Sequence, residues 1–254
     1  MEAQATIRHQ LDLALRLLDS VSGRAVTERT IQFSSHPPGR DPIPKGGGLY
    51  LFLNTEREDF DLEVRVYGYE PRTVKITYPE EREQMPIREV YLIPLDHPAL
   101  ESNLTLRGNL PGIEAIEAVS LMDTSCCTKE FDAKKRIMTV LNQRSSGFRH
   151  VHYGLINRER TAYEHFEIEK ELSTQQFQCK KKLEQEFQMN QPIVRVIFGQ
   201  TSEKGDYVLK VKKEEYARYL VRFVVNGKEY FQTVDFCKEG NTLKCEEAAQ
   251  EKEG

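Results

Sequence analysis

The feature that most constrains the fold is a pattern of strand and turn residues that occurs twice along the 254-residue chain. In each copy a glycine leads into a short strand with a tyrosine, and an alternating strand and a further short strand follow. A glycine in this place is typical of a turn that needs a positive φ angle. The shared order predicts an internal repeat. The matching segments are 48–52 with 205–209, 62–66 with 219–223, and 73–76 with 233–236.

Short apolar runs bounded by turn residues recur along the chain and predict a mostly β protein. Hydrophobic residues make up 39% of the sequence, which is enough for packed cores in domains of about 100 residues. We expect two β-sandwich domains of immunoglobulin-like or transthyretin-like type in tandem, at 1–97 and 98–239, and a charged flexible tail at 240–254. The segment 174–188 fits either a helix or a strand, and its β neighbours favour the strand.

The first copy of the pattern resembles a known family. The segments LRLLDSVSGRAV at 15–26, GLYLF at 48–52 and LEVRVYGYEP at 62–71 are similar to the strands and turns of carboxypeptidase-regulatory-like domains, a branch of the transthyretin-like sandwiches. The resemblance covers about residues 11–78, with a fainter copy at about 193–236. It implies a spacer, adhesion or assembly module, and it transfers no catalytic residue.

Charge and composition exclude some classes of protein. The formal net charge is −4, from 36 basic and 40 acidic residues, which argues against a dedicated nucleic-acid binder. No apolar run approaches the roughly 18 residues of a membrane span. Residues 1–10 are polar where a signal peptide needs an apolar stretch, so we expect a cytoplasmic protein. The five cysteines are odd in number and irregularly spaced, which predicts free thiols.

Catalytic and cofactor motifs are absent from the sequence, so we expect no enzyme and no cofactor. The best candidate for chemistry is a His-x-His pair, His150 and His152, whose side chains would share one face of a strand. His165, together with Glu164 or Glu167, would complete a metal site only if the next strand pairs suitably. A solvated strand face or an interface is the commoner role for such a pair.

Binding residues are expected in two loops of the first domain. The proline-rich loop at 36–44 is stiff, and long stiff loops on a rigid scaffold are frequent binding sites. The turn after the alternating strand carries two tyrosines. The candidate binding residues are His36, Pro37, Pro38, Arg40, Tyr67 and Tyr69.

Together these features favour a non-catalytic structural or adaptor protein that docks on other proteins, or on copies of itself, in a larger assembly. A component of a phage-tail-like or contractile injection particle is one candidate, by fold analogy. Two alternatives stay open. One is a metal-dependent enzyme or metal sensor that uses the His-x-His strand, and the other is a carbohydrate-binding module.

Overall fold

The computed structural model describes most of the chain and is built from strands throughout its described part. The described residues are 11–27, 30–36, 42–53, 58–78, 87–95, 103–142, 148, 152–184, 187–238 and 241–245. The prediction of a mostly β protein is confirmed. Over these ranges there is no helix long and apolar enough to cross a membrane.

The chain forms two compact units, Met1–His97 and Pro98–Gly254. The first unit has two sheets, of strand order β3-β4-β1-β7 and β2-β5-β6. Both sheets contribute side chains to one hydrophobic core, with Leu15 of β1 and Val64 of β5 fully buried. Its strands are β1 (Leu11–Asp19), β2 (Ile31–His36), β3 (Ile43–Pro44), β4 (Leu49–Leu53), β5 (Phe60–Val66), β6 (Arg72–Ile76) and β7 (Ile87–Leu92).

The described residues of the second unit form thirteen strands in three sheets, of orders β17-β18-β8, β16-β9-β19-β20 and β10-β11-β14-β13-β12-β15. The strands are β8 (Asn103–Asn109), β9 (Ile113–Ser120), β10 (Cys126–Asp132), β11 (Ile137–Asn142), β12 (His152–Ile156), β13 (Tyr163–Ser173), β14 (Gln176–Cys179), β15 (Ile193–Arg195), β16 (Ile197–Phe198), β17 (Gln200–Thr201), β18 (Asp206–Lys212), β19 (Arg218–Val225) and β20 (Lys228–Asp235).

Two of these sheets repeat the strand pairing of the first unit. The order β17-β18-β8 corresponds to β3-β4-β1, and β9-β19-β20 corresponds to β2-β5-β6. The two glycines of the sequence pattern occupy equivalent places. Gly48 has a φ of 71° and its carbonyl accepts a 2.9 Å hydrogen bond from Leu17 N, while Gly205 has a φ of 86° and accepts a 2.8 Å bond from Leu110 N. We call this shared arrangement the frame.

Glycine is required at both positions for a second reason. A Cβ atom at Gly48 would lie 2.7 Å from Leu17 O, and one at Gly205 would lie 2.8 Å from Leu110 O. Both distances are shorter than real contacts allow, and the positive φ adds strain for any other residue. The sequence pattern therefore marks one local structure that the two units share.

The six-stranded sheet is inserted between β9 and β17 of the second frame, where the first frame has the loop between β2 and β3. The segment just before β15 meets β10, the first strand of this sheet, because Thr128 N donates to Gln191 O at 2.9 Å and Asn190 N donates to Thr128 O at 2.8 Å. We call the curled sheet, β10–β15, the insert. Its interior is filled by apolar side chains, among them Met138 and Phe177, both at 0% exposure.

The segment 174–188 follows the strand alternative where the structure describes it. Thr174 and Gln175 form the turn between β13 and β14, and Phe177 and Cys179 of β14 point into the insert. The helix that the sequence also allowed does not form in the described part of this segment, 174–184 and 187–188. Apolar side chains at alternate positions suit a strand with one buried face, which is the pattern seen here.

Of the segment 240–254, expected to be a charged flexible tail, the structure describes 241–245. Leu243 is 7% exposed and belongs to the core of the second frame. The side-chain amide of Gln232 makes hydrogen bonds to the backbone before and after Leu243. Its Nε2 donates to Thr242 O at 2.9 Å, and its Oε1 accepts from Lys244 N at 3.0 Å. These five residues are therefore attached to the frame.

All five cysteines are free thiols, as predicted. The adjacent pair is divided by the alternation of β10, because Cys126 is buried and Cys127 is only half-buried. Cys179 lies in the insert, where burial first and the charge of Glu164 second raise the pKa of its thiol to about 12. A thiol in this state is a poor nucleophile.

Candidate functional site

Pairing of β12 with β13 brings two histidines of the sequence prediction together. His152 and His165 lie diagonally across the strand pair, since His152 is opposite Glu167 and His165 is opposite Gly154. Nδ1 of His152 is 2.9 Å from Nε2 of His165. The rings meet edge to face at 5.1 Å between centroids, and Phe198 packs against both.

A buried carboxylate from another sheet completes the site. Glu117 of β9 has a side chain only 6% exposed, and its Oε2 lies 3.1 Å from Nδ1 of His165. Its Oε1 accepts from Nη1 of Arg222 at 2.9 Å and from the hydroxyl of Tyr163 at 3.1 Å. The carboxylate thus has three donors, which is the condition under which a charge is tolerated in an interior.

Strand alternation explains why these side chains converge. Arg222 of β19 is paired directly with Glu117 of β9, so both point to the same face of the four-stranded sheet. Tyr163 and His165 are two residues apart on β13 and share the face of the insert that meets that sheet. The same face continues into an apolar cluster made by Val119, Leu121, Ile156, Tyr163, Val194, Val196 and Leu220.

Gly154 sets how closely the insert approaches the frame. A Cβ atom at this position would lie 2.8 Å from Cγ1 of Val119 and 2.9 Å from Cδ2 of Tyr163. The missing side chain lets β12 come close to β9, and this close approach brings His165 within hydrogen-bond distance of Glu117. A glycine in a strand thus has a packing role here.

The electrostatics follow from burial and these contacts. Burial would raise the pKa of Glu117, but the hydrogen bond and charge of His165, the charge of Arg222 and the Tyr163 hydroxyl outweigh it and lower the pKa. Burial first, and then the charge of Glu117, raise the pKa of Tyr163 well above its ordinary value. Glu117 is therefore ionised and Tyr163 protonated at neutral pH.

The donors and acceptors can be assigned along the chain of contacts. Because the Glu117 carboxylate only accepts, Nδ1 of His165 donates to it, and Nε2 on the other side of the same ring lies 2.9 Å from Nδ1 of His152. Glu117, His165 and His152 form a continuous hydrogen-bonded path from a buried carboxylate to a half-buried imidazole. Such a path can bind or relay a proton.

The predicted metal residues are brought together only in part. His152 and His165 are in contact, whereas His150 lies outside the described residues. The carboxylate beside His165 is Glu117 and not its strand neighbours, because Glu164 Oε1 accepts from Glu184 N and Glu167 binds Lys180 at 2.7 Å. Within the described ranges, no group of three or more His, Cys, Asp or Glu side chains is arranged to hold a metal ion.

Sequence reasoning missed Glu117, Arg222 and Tyr163. Glu117 is the charged residue in the otherwise apolar run IEAV at 116–119 of β9, and such an interruption is the one signal that could have singled it out. Arg222 interrupts β19 in the same way, between Val221 and Phe223. That Glu117 and Arg222 face each other follows from the register of β9 and β19, which the sequence alone does not give.

The predicted binding loops are described only in part. His36 ends β2, where its backbone is opposite Asp61, while Pro37, Pro38 and Arg40 lie outside the described residues. In the other loop the two tyrosines differ. Tyr67 is 78% exposed, whereas the Tyr69 hydroxyl donates to Oδ2 of Asp19 at 3.1 Å.

Asp19 organises the turn that follows β1. Its Oδ1 accepts from Val21 N at 3.0 Å and from Ser22 N at 2.6 Å, and Gly23 takes a positive φ of 67°. This is the Asp-to-Gly turn on which the family resemblance was based. Tyr69 ties that turn to the turn between β5 and β6, while the side chain of Tyr67 is exposed.

The fold and the site describe an all-β protein in which a buried ion network joins an inserted sheet to a repeated frame. No family model matches the chain, and no curated protein matches it. A solved structure, "The Bacillus anthracis TIE protein", is similar at 12% sequence identity, over 89% of this chain and 48% of that chain. The TM-score of 0.25 is too low for this likeness to carry an argument.

Proposed function

We propose that the chain is a non-catalytic structural or adaptor protein that docks on other proteins in a larger cytoplasmic assembly. Its architecture is that of two tandem β-sandwiches of transthyretin-like type, with the insert carried by the second. Two sheets sharing one core in each frame support this interpretation, as does the Asp19 turn of the first. A component of a phage-tail-like or contractile particle is one form that such a protein takes.

The observation that carries the proposal is that, among the strands that the structure describes, each frame has an outermost strand at an equivalent place. β6 is the outermost strand of the sheet β2-β5-β6, and β20 is the outermost strand of β16-β9-β19-β20. An outermost strand has one row of amide and carbonyl groups directed away from its sheet, to which another chain can add a strand. Repetition of the frame therefore repeats the docking edge.

The edge of β20 is regular enough to act as a template. It pairs with β19 over eight consecutive residue pairs without a bulge, and Asn226 and Gly227 form a two-residue turn with positive φ at both positions. In such a hairpin Lys228 is hydrogen-bonded to β19, so Glu229, Phe231 and Thr233 direct their backbone groups outward. At the end of the strand the outward C=O of Asp235 accepts from Nδ2 of Asn241 at 2.8 Å.

The buried ion network supports the same function. Glu117 receives its donors from β13 and β19, and it therefore fixes the insert to the frame. A rigid junction is what a structural component needs, since a loosely held insert would add an entropy cost to each docking event.

The test is the native size of the chain isolated from its own host, with a variant that removes one outward amide. We expect a large particle for the natural chain and for Thr233→Ala, and release of the chain by Thr233→Pro, because proline at an outward position removes only the exposed N–H. A small species for the natural chain, or identical particles for all three, would overturn the proposal.

A second candidate function, metal binding, is favoured by the 2.9 Å contact between the His152 and His165 rings. Two imidazole nitrogens this close can also share one metal ion, with Glu117 orienting His165 as outer carboxylates do in metal sites. Titration with zinc separates the candidates. Stoichiometric binding that His152→Ala abolishes and Lys180→Ala retains would favour the metal site, and absence of binding would exclude zinc.

A further inference from the structure

The turn between β19 and β20 contains the one Asn-Gly pair of the sequence, Asn226 and Gly227. In an Asn-Gly pair the backbone nitrogen of the glycine is able to attack the side-chain Cγ of the asparagine. The reaction closes a succinimide ring, and glycine favours it because no Cβ atom hinders the approach. Such a pair is a site of spontaneous deamidation wherever both reacting groups are free to move.

The geometry of the turn leaves the attacking nitrogen outside the hydrogen bonds of the hairpin. Asn226 has a φ of 49° and Gly227 a φ of 73°, as in the two-residue turns of tight hairpins. Such a turn is closed by hydrogen bonds between its flanking residues, here Val225 and Lys228, and these do not use the N–H of Gly227. Among the described residues, a Cβ atom at Gly227 would meet nothing within 4 Å, so this side of the turn is open to water.

Glu114 of β9 holds the N–H that would attack. Gly227 N donates to Oε1 of Glu114 at 3.0 Å. β9 has a bulge at this point, because one step along β19, from Val224 to Val225, corresponds to two steps along β9. Glu114 is the extra residue of the bulge, and a bulge redirects a side chain. The hydroxyl of Thr201 donates to Glu114 O at 3.0 Å and fixes the backbone there.

The asparagine is held by the turn before β9. Asn226 N donates to Gly112 O at 3.0 Å, and Gly112 has a φ of 80°. A Cβ atom at Gly112 would lie 2.9 Å from Cγ of Asn226, so the side-chain amide lies directly against this glycine. Attack requires the Gly227 nitrogen to move over Cγ, and the contacts with Glu114 and Gly112 oppose that movement.

The charge of Glu114 opposes the reaction as well. The amide nitrogen of Gly227 attacks after it has lost its proton, and it then carries a negative charge. A carboxylate 3.0 Å away disfavours that charged form and favours the protonated N–H to which it is bound. The same hydrogen bond therefore restrains the nucleophile in its position and in its charge.

We propose that Asn226 is a latent site of spontaneous deamidation, and that Glu114 keeps it unreacted by binding the Gly227 N–H. When this hydrogen bond is absent, Gly227 N forms a bond to Cγ, the bond from Cγ to Nδ2 breaks, and ammonia leaves with the proton of the N–H. Water then opens the ring at either of its carbonyl groups and gives aspartate or isoaspartate. The reaction needs only water, which has access because both residues of the turn are exposed.

Isoaspartate at position 226 would change the hairpin. Its backbone runs through the side-chain carboxyl, so the turn gains the Cβ as an extra backbone atom. A turn lengthened in this way no longer matches the register of Val225 with Lys228. Pairing at this end of β19 and β20 would weaken whether or not β20 docks on another protein. The modification is therefore independent of the docking role proposed above.

The test is the rate of isoaspartate formation at position 226 at neutral pH, followed by mass spectrometry of the peptide that contains the turn and by enzymatic methylation of isoaspartate. We expect the natural protein to react at least about tenfold more slowly than a synthetic peptide of residues 222–231, and Glu114→Ala to react at least about tenfold faster than the natural protein. Glu114→Gln keeps a neutral acceptor and should fall between the natural protein and Glu114→Ala. Glu159→Ala removes an exposed carboxylate from the turn between β12 and β13 and should leave the rate unchanged.

A second comparison separates the loss of this hydrogen bond from a general loss of stability. Gly154→Ala is destabilised in the insert and leaves Glu114 in place. Both variants are incubated at the same margin below their own melting temperatures, and each rate is divided by that of the peptide at the same temperature. The corrected rate should be higher in Glu114→Ala.

Three results would overturn the proposal. Equal corrected rates in Glu114→Ala and Gly154→Ala would show that the reaction depends on unfolding. A natural protein that reacts as fast as the peptide would show that the fold gives no protection. A rate that Glu114→Ala leaves unchanged or lowers would show that the carboxylate does not restrain the Gly227 amide.

Discussion

Nδ1 of His165 lies 3.1 Å from Oε2 of Glu117, although the histidine belongs to the insert and the glutamate to the frame. This hydrogen-bonded pair lies where the insert packs against the second frame. It is held from the other side by Arg222, whose guanidinium also binds the exposed Glu229. Arg222 therefore forms ion pairs with two carboxylates, the buried Glu117 and the exposed Glu229.

Glu117→Ala should destabilise the protein by about 3–5 kcal/mol, because it leaves the charge of Arg222 and the hydroxyl of Tyr163 without their buried acceptor. The matched control is Glu229→Ala, which removes the exposed partner of the same arginine and should cost less than about 1 kcal/mol. Urea unfolding at neutral pH measures both. Equal decreases in the free energy of unfolding for the two variants would show that the burial of Glu117 does not contribute to stability.

Stability should fall in acid through Glu117. Its pKa is lowered from an ordinary value of 4.5, so the folded state holds this proton less tightly than the unfolded state. The stabilisation is complete above about pH 4.5 and is lost as the pH falls through the folded pKa. The charged and titratable groups that face it are His165, Arg222 and Tyr163.

Urea unfolding at about pH 5 and about pH 3 tests this dependence. Glu117→Gln cannot titrate and should lose less stability over this range than the natural protein. Burial would raise the pKa of Glu167, but the hydrogen bond and charge of Lys180, with smaller contributions from the two histidines, lower it. Glu167 is present in both proteins, so its effect cancels in the comparison. If the free energy of unfolding changed equally with pH in the natural protein and in Glu117→Gln, the acid dependence would not come from Glu117.

Gly154→Ala should destabilise by about 1–3 kcal/mol, because its Cβ meets Val119 and Tyr163 inside normal contact distance. Val119→Ala removes the closer of the two atoms. The double variant should therefore be more stable than the sum of the single losses predicts, by at least about 0.5 kcal/mol. Additive losses would mean that the strand shifts instead of the side chains.

Tyr69→Phe should cost about 1–2 kcal/mol, since it removes the hydroxyl that binds the Asp19 carboxylate and ties two turns together. Tyr67→Phe is the matched control, because that ring is 78% exposed and its change should be within about 0.5 kcal/mol. Thermal unfolding compares the two. A larger loss at Tyr67 would reverse the roles assigned to the tyrosines.

The frame could be predicted from the sequence to the extent that its determinants are local. Gly48 and Gly205 are visible because a positive φ and a close carbonyl admit no other residue, and the strands beside them alternate with a period of two. The same local reasoning favoured a strand over a helix around Phe177. It could not show that β10–β15 form a sheet of their own, because closure depends on the distant pairing of Thr128 with Gln191.

The candidate site was predicted only where it depends on neighbouring strands. His152 and His165 come together because β12 and β13 are adjacent in the chain and pair antiparallel. The sequence predicts a nearby carboxylate, Glu164 or Glu167, whereas the carboxylate in contact with His165 is Glu117, which lies there only because two sheets pack together. A contact between side chains of two packed sheets produces no periodic pattern in the sequence.

The place of the insert has a consequence for how the second unit folds. Ile197 is paired with Ala118, so the insert leaves and re-enters the frame at neighbouring residues, while Ile116 of β9 must find Phe223 of β19 across the whole inserted length. Pairings of such high contact order are slow, because the loop-closure entropy is lost before any contact compensates for it. An insert that collapses first would remove its own residues from that loop and act as a nucleus for the sheet around it.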